Sequence, residues 1–228
     1  MLKAIVFDFD GVIADSEPLH YDAFRWVAES IGVRLDYAIY TDELIGYDDR
    51  DVVRTLLAKA GRVADERRVS TLVEDKGRAF ARVARKASKP IPGVLRFIGE
   101  ASKRLPLAIS SGAKKADIDL ILDGLGLAGR FDPIIASDDV FQSKPDPQCY
   151  RLAVEGLVAR HPQLGLRPDN CLAIEDTPAG LRAARNAGLW TLGLTTNLPA
   201  ENLYLAHRIA PSFVGLTLDR VRQWYRSD

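Results

Sequence analysis

The chain has 228 residues, 47% of them hydrophobic and 27% charged, with 31 basic and 31 acidic side chains and a formal charge of zero. That make-up is a globular chain with ample material for a core in one or two domains, and it offers no net field to attract nucleic acid or an anionic membrane surface. Cys149 and Cys171 are too few for a disulfide framework and lack CxxC spacing; with no signal-peptide pattern and no apolar run of membrane-spanning length, a cytoplasmic protein is expected.

The first element is a strand over Ala4 to Phe7, a short unalternated apolar run of the kind buried on both faces. It ends in Asp8-Phe9-Asp10-Gly11. Residues two apart in an extended chain project to the same side, so Asp8 and Asp10 point into one space. Like charges about 4 Å apart repel by roughly 4 kcal/mol at an effective dielectric of about 20. Such a pair shares a proton or holds a cation, and a divalent metal is the simplest expectation.

From about Asp15 to Lys89 no strand is predicted. The residues there follow helical spacing, as in Asp51-Val-Val-Arg-Thr-Leu-Leu-Ala-Lys59, and the segment reads as an inserted helical domain of residues 15–86, leaving residues 1–14 and 87–228 as the core. Trp26, Tyr21 and Leu56 are expected in its interior. The basic stretch Arg78 to Lys89, with Arg82, Arg85 and Lys86, is expected to be a solvated helix face, and Lys89-Pro-Ile-Pro-Gly93 a linker or hinge.

Further strands are predicted at Leu105–Ile109, Pro133–Ala136, Cys171–Ile174, Trp190–Leu194 and, more weakly, Ser212–Leu216. Alternating with helices, they predict a parallel α/β sheet. Chemistry in such sheets collects at the carboxyl ends of the strands, and each end here is loaded. Ser110-Ser111-Gly112 precedes a helix from Lys114 to Leu125, where hydroxyls and free N–H groups suit an anion. Ser143-Lys144-Pro145-Asp146-Pro147 brings a lysine to the entrance of a helix over Gln148–Arg160. Glu175-Asp176-Thr177-Pro178 adds two carboxylates ahead of a helix over Ala179–Asn186. Singly, these are ordinary caps and turns; their conjunction at successive strand ends is not. Gly124-Leu-Gly126-Leu-Ala-Gly129 matches GxGxxG but follows a helix, so it reads as a C-cap and turn. His161 and His207 are expected on the solvent side.

The four clusters together resemble the haloacid-dehalogenase-like superfamily, in its phosphatase branch with a helical cap inserted after the first motif. Asp8-Phe-Asp10-Gly-Val matches the first motif, Ser110 the second, Lys144 the third, and Glu175-Asp176 within Ile-Glu-Asp-Thr-Pro-Ala-Gly the fourth. The resemblance implies a Rossmann-like core and a Mg²⁺-dependent phosphomonoesterase for a small phosphorylated metabolite such as a sugar phosphate or phosphoglycolate. It implies Asp8 as nucleophile, forming an aspartyl-phosphate, and Asp10 as general acid and then base. Mg²⁺ would be held by Asp8, the backbone carbonyl of Asp10 and Asp176, with Glu175 as ligand or outer support. Ser110, Ser111, Gly112 and Lys144 would hold the phosphoryl oxygens. Glu17, His20, Tyr21, Tyr47, Arg50 and Lys76 are the candidate substrate contacts of the cap.

Asp10 disfavours the carbon–halogen-cleaving branch, which lacks the second aspartate. None of Lys59, Lys76 and Lys86 sits in the context of the phosphonate-cleaving branch's Schiff-base lysine. A β-phosphoglucomutase-like phosphomutase is the rival: such mutases resemble one another in an arginine shortly after the cap-loop glycine, whereas Gly46-Tyr-Asp-Asp-Arg50 offers Asp49 there and Arg50 one place on. A non-enzymatic phospho-acceptor module, similar to a receiver domain, would carry its acceptor at a later strand and has no use for the long insertion. No dimer seam is visible, and a monomer is expected.

Overall fold

The protein is described from a computed structural model, which covers residues 1–45, 47–87 and 89–226. Its chain forms two compact units, Met1–Asp15 with Lys89–Asp228, and Ser16–Ser88.

The first unit is built on six strands in the order β5-β4-β1-β6-β7-β8. They are β1 (Ala4–Phe7), β4 (Leu107–Ser110), β5 (Ile134–Ile135), β6 (Cys171–Glu175), β7 (Trp190–Leu194) and β8 (Arg208–Ala210). All neighbours are parallel. Two-residue strands β2 (Ala14–Asp15) and β3 (Lys89–Pro90) pair antiparallel, so the segment expected to be a linker or hinge begins as a ladder partner. The helices of this unit are α5 (Val94–Ala101), α6 (Lys115–Gly124), α7 (Gln148–Arg160), α8 (Pro178–Asn186) and α9 (Leu218–Arg226).

Side-chain alternation along β1 feeds two cores. Ala4 and Val6 join Ala108, Ala173, Tyr150, Ala153, Leu157, Ala183 and Ala184 on the side of α7 and α8. Phe7 meets Phe97, Phe131 and Phe213 on the other, with ring centroids 6.3, 5.7 and 6.4 Å away. An all-parallel sheet buried on both faces follows from these unalternated runs.

The expected strand at Ser212–Leu216 is not there; the edge strand lies earlier, at Arg208–Ala210. Val214 N–H donates to Ser212 Oγ at 3.2 Å and Gly215 takes φ +72°, so that apolar run is a turn. The GxGxxG look-alike is indeed the end of α6 and a turn, with Gly126 at φ +70° and Gly129 at +71°.

The second unit holds α1 (Glu17–Ser30), α2 (Tyr37–Glu43), α3 (Asp49–Lys59) and α4 (Glu66–Ala87). Its core gathers Phe24, Val27, Tyr40, Val53, Leu56, Leu57, Val69 and Val73. Asp48 caps α3, accepting from the N–H groups of Arg50 and Asp51 at 2.9 Å. Trp26 is a correction: it is 48% exposed, because the buried stripe of α1 runs through His20, Ala23, Phe24, Val27 and Ala28 and leaves position 26 off it. Gly46 and the side chains of Arg85 and Lys86 lie outside the described residues.

Candidate active site

Sheet register builds the site. Phe7 pairs with Ile109 of β4 and Ile174 of β6, so the next residue of each strand, Asp8, Ser110 and Glu175, falls in one row at the carboxyl edge. The strand order reverses direction about β1, which opens a crevice at that point.

Lys144, delivered by the loop before α7, closes the row. Its Nζ donates to Asp8 Oδ1 at 2.6 Å, Glu175 Oε1 at 2.6 Å and the Ser110 carbonyl at 3.0 Å, which uses all three ammonium donors. The pairs are enclosed, with side-chain exposures of 12% for Lys144, 10% for Asp8 and none for Glu175. Asp176 is also buried. Oxygens from Asp8, Glu175 and Asp176 lie within 4.8 Å of one another. Three carboxylates are therefore buried together with one ammonium, which contacts two of them.

The electrostatics follow from that imbalance. Burial first, then the charge of Glu175, pushes the Asp8 carboxyl up to about 8 against the pull of Lys144. Burial alone would lower Lys144, but the charges of Asp8 and Glu175 outweigh it and hold the ammonium well above its usual range. Buried oxygen donors with surplus negative charge are the donor set of a hard divalent cation, and such an ion would keep Asp8 ionised. The residues fit a metal.

Asp10, half-buried, lies past the strand end on the turn closed by the Gly11 N–H to Ala14 carbonyl bond of 2.8 Å. Gly11 is required there: it takes φ +73°, and a Cβ would come within 2.2 Å of Asp176 Oδ2 and 2.4 Å of Asn197 Nδ2. Ser110 is fully buried, and its Oγ has no hydrogen-bond partner among the described residues. Ser111 Oγ accepts from Ala113 N–H at 3.0 Å and turns the chain toward α6.

The contacts that Asn197 and Tyr150 make to two of these carboxylates were not legible in the sequence. Asn197, in the loop after β7, donates from Nδ2 to Asp176 Oδ2 at 2.8 Å, and its neighbour Thr196 donates to the Gly11 carbonyl at 2.6 Å. Tyr150 of α7 donates to Glu175 Oε1 at 3.0 Å. Neither sits in a recognisable pattern; only the tertiary fold brings them to the carboxylates.

The candidates in the helical unit are arranged differently. Lys76 is fully buried; its Nζ lies 2.8 Å from both Asp49 Oδ1 and His20 Nδ1, and 4.8 and 5.1 Å from the Phe24 and Phe80 ring centroids. His20 stacks on Phe80 at 4.3 Å. Glu17 accepts from the Tyr40 hydroxyl. Arg50 donates to Glu66 and, at 3.4 Å, to Ser70. Tyr21 donates to the Leu35 carbonyl at 3.2 Å, and Tyr47 is 63% exposed. His207, expected to be a solvent residue, accepts from Thr191 N–H at 2.9 Å and stacks on Trp190.

Asp8, Ser110, Lys144, Glu175 and Asp176 thus lie together, and the family model for haloacid dehalogenase-like hydrolases matches residues 2–188. The chain belongs to this family. It is 32% identical over 197 residues to a Thermotoga maritima protein named phosphorylated carbohydrates phosphatase, covering 82% of each chain. The crystal structure of CbbY from Rhodobacter sphaeroides in complex with phosphate superposes with a TM-score of 0.84 at 27% identity, over 96% of this chain and 98% of that one. A β-phosphoglucomutase from Clostridium difficile shares the fold, with a TM-score of 0.85 at 24% identity over 100% and 98%. Among the described residues of this haloacid-dehalogenase-like hydrolase, no helix is long and apolar enough to cross a membrane.

Proposed function

We propose that the protein is a cytoplasmic Mg²⁺-dependent phosphomonoesterase for a small phosphorylated, sugar-like metabolite, working through an aspartyl-phosphate on Asp8. The observation that carries this is the buried row of Asp8, Lys144 and Glu175 with Asp176 beside it, three carboxylates against one ammonium. The name of the Thermotoga relative, a phosphorylated carbohydrates phosphatase, supports this substrate class, and the CbbY structure is a complex with phosphate.

In this reading Asp8 Oδ attacks phosphorus, the ester P–O bond breaks, and Asp10 protonates the departing oxygen. Asp10 then takes a proton from water as that water attacks phosphorus; the Asp8–phosphorus bond breaks and the carboxylate is restored. The backbone N–H groups at the Ser111-Gly112 turn and the start of α6, together with Lys144, neutralise charge on the transferred group, where positioning and electrostatics carry most of phosphoryl transfer. Asp8 and Asp176, with the Asp10 carbonyl, would hold Mg²⁺, which when bound neutralises the attacking carboxylate and phosphoryl oxygens. The unit Ser16–Ser88 is assigned the role of a helical cap that selects the substrate.

The test is phosphate release from sugar phosphates, phosphoglycolate and p-nitrophenyl phosphate, with Mg²⁺ and with EDTA, while β-glucose 1-phosphate is followed by NMR. Metal-dependent release is expected. Conversion to glucose 6-phosphate with little free phosphate would replace the phosphatase with the mutase. A single stable phosphorylation without turnover would replace it with a phospho-acceptor.

A further inference from the structure

We infer that Thr196, in the loop after β7, is a positioning residue for Asp10: its hydroxyl pins the glycine that follows the general acid and so fixes where the Asp10 carboxyl points. The inference rests on the phosphatase reading for the role of Asp10 and assigns nothing to the metal.

Asp10 stands on the short turn between β1 and β2. The turn's own bonds gather at its ends. The N–H groups of Val12, Ile13 and Ala14 donate to the Phe9 carbonyl at 3.3, 2.8 and 3.1 Å, and Gly11 N–H returns to the Ala14 carbonyl at 2.8 Å. Among the described residues no backbone N–H reaches the Gly11 carbonyl. Gly11 is buried, and a buried acceptor left without a donor costs about 1–3 kcal/mol. Thr196 Oγ1, 185 residues further along the chain, supplies that donor at 2.6 Å.

The bond falls where the turn most needs one. Residue 11 must be glycine, because it takes φ +73° and a Cβ would strike Asp176 and Asn197. Glycine has the widest backbone freedom of any residue, so the close approach leaves the position beside the general acid the least restrained in the turn. The Thr196 hydroxyl removes that freedom from outside. It is itself presented from a loop tied down on both sides: Thr195 N–H donates to the Ala210 carbonyl of β8 at 3.0 Å, and Asn197 Nδ2 to Asp176 Oδ2 at 2.8 Å. The β-branch of threonine restricts χ1 and keeps the hydroxyl aimed.

A general acid must lie within hydrogen-bond reach of the oxygen it protonates, and a displacement of about 1 Å can cost on the order of 100-fold. The need for that proton depends on the leaving group. A sugar alkoxide is a strong base and departs only as it is protonated; p-nitrophenolate is a weak base and departs unaided. Misplacing Asp10 therefore slows cleavage of the first ester and spares the second, whereas damage to the fold or to Asp8 slows both.

The test compares Thr196→Val, which keeps the shape and removes the hydroxyl, with Thr196→Ser, which keeps the hydroxyl. Ester cleavage is followed in a single turnover with enzyme in excess, so that the later hydrolysis step does not enter. The probes are p-nitrophenyl phosphate and the sugar phosphate that the wild-type protein cleaves fastest. In Thr196→Val cleavage of the sugar phosphate is expected to fall about 10- to 100-fold while that of p-nitrophenyl phosphate stays within about threefold. Thr196→Ser is expected to restore the sugar phosphate rate to within about threefold of wild type, and the Mg²⁺ dissociation constant, read by calorimetry, to stay within about threefold in both variants. Equal slowing of the two esters, an unchanged sugar phosphate rate, no recovery in Thr196→Ser, or a loss of Mg²⁺ affinity as large as the loss of rate would overturn the inference and leave the phosphatase standing. A wild-type protein that cleaves neither ester would remove the phosphatase reading and the inference with it.

Discussion

The two units handle buried charge in opposite ways. In the helical unit each buried charge has a local answer: Lys76 is met by Asp49 and His20, and Glu17 by Tyr40. At the strand ends of the α/β unit the three carboxylates Asp8, Glu175 and Asp176 are buried with one ammonium, that of Lys144, besides the neutral donors Tyr150 and Asn197. Balanced charge specifies packing, whereas a deficit specifies something still to be bound. That contrast supports the proposal that the chemistry lies in the α/β unit and that the helical unit selects the substrate.

Removing the nucleophile tests it most severely. Asp8→Asn is expected to lower phosphate release by roughly 10⁴-fold or more, the scale seen when a member of a concerted catalytic set is lost, while circular dichroism shows the fold retained. Substantial residual hydrolysis would take the nucleophile role from Asp8.

The same substitution made in each unit compares them directly. Lys144→Met leaves Asp8 and Glu175 uncompensated and is expected to cost roughly 3–5 kcal/mol in urea unfolding without metal, partly restored by Mg²⁺. Lys76→Met removes the ammonium from Asp49, whose side chain is 21% exposed and can recover water, and from the neutral partner His20; a loss of about 1–2 kcal/mol is expected, with no response to Mg²⁺. Equal losses in the two would break the contrast.

Acidity sharpens it further. Asp8 titrates near 8 in the metal-free fold, above its ordinary 3.8. A carboxyl whose folded value is raised contributes stability that is fully present below the unfolded value and is lost as pH rises through the folded one. The metal-free protein should therefore lose stability between about pH 4 and 8, and Mg²⁺ binding at pH 7 should release close to one proton, read by calorimetry in buffers of different ionisation heat. No proton release would mean Asp8 is already ionised.

Smaller effects complete the series. Asn197→Ala is expected to weaken Mg²⁺ about tenfold by freeing the Asp176 carboxylate, measured by titration calorimetry. Arg50→Met removes an exposed pair with Glu66 and is expected to change stability by about 1 kcal/mol or less; if β-glucose 1-phosphate is isomerised and that activity disappears in this variant, the mutase reading gains its distal phosphate contact.

Much of this was readable along the chain. The run Ala4–Phe7 followed by Asp8 and Asp10 made a central strand with acids beyond its end legible, although only Asp8 lies in the row of the site and Asp10 sits on the turn past it. Lys144 and the pair Glu175-Asp176 became legible by recurring at successive strand ends. The helical insertion declared itself through period 3.6 and an absence of strand-forming runs. Local pattern failed where the partner was distant: Ser212–Leu216 has strand composition, but a glycine with positive φ makes it a turn, and Trp26 is apolar yet one step off the buried stripe of its helix.

Sequence by itself therefore determined the elements, their approximate ends and which residue types stand at each strand terminus, because these depend on near neighbours along the chain. Tertiary structure alone decided how the charges are shared. The parallel register set Asp8, Ser110 and Glu175 in one row, and the fold brought Tyr150 from 25 residues before Glu175 and Asn197 from 21 residues beyond Asp176. Hydrogen-bond saturation is a property of groups meeting in space, and no spacing along a single chain encodes it.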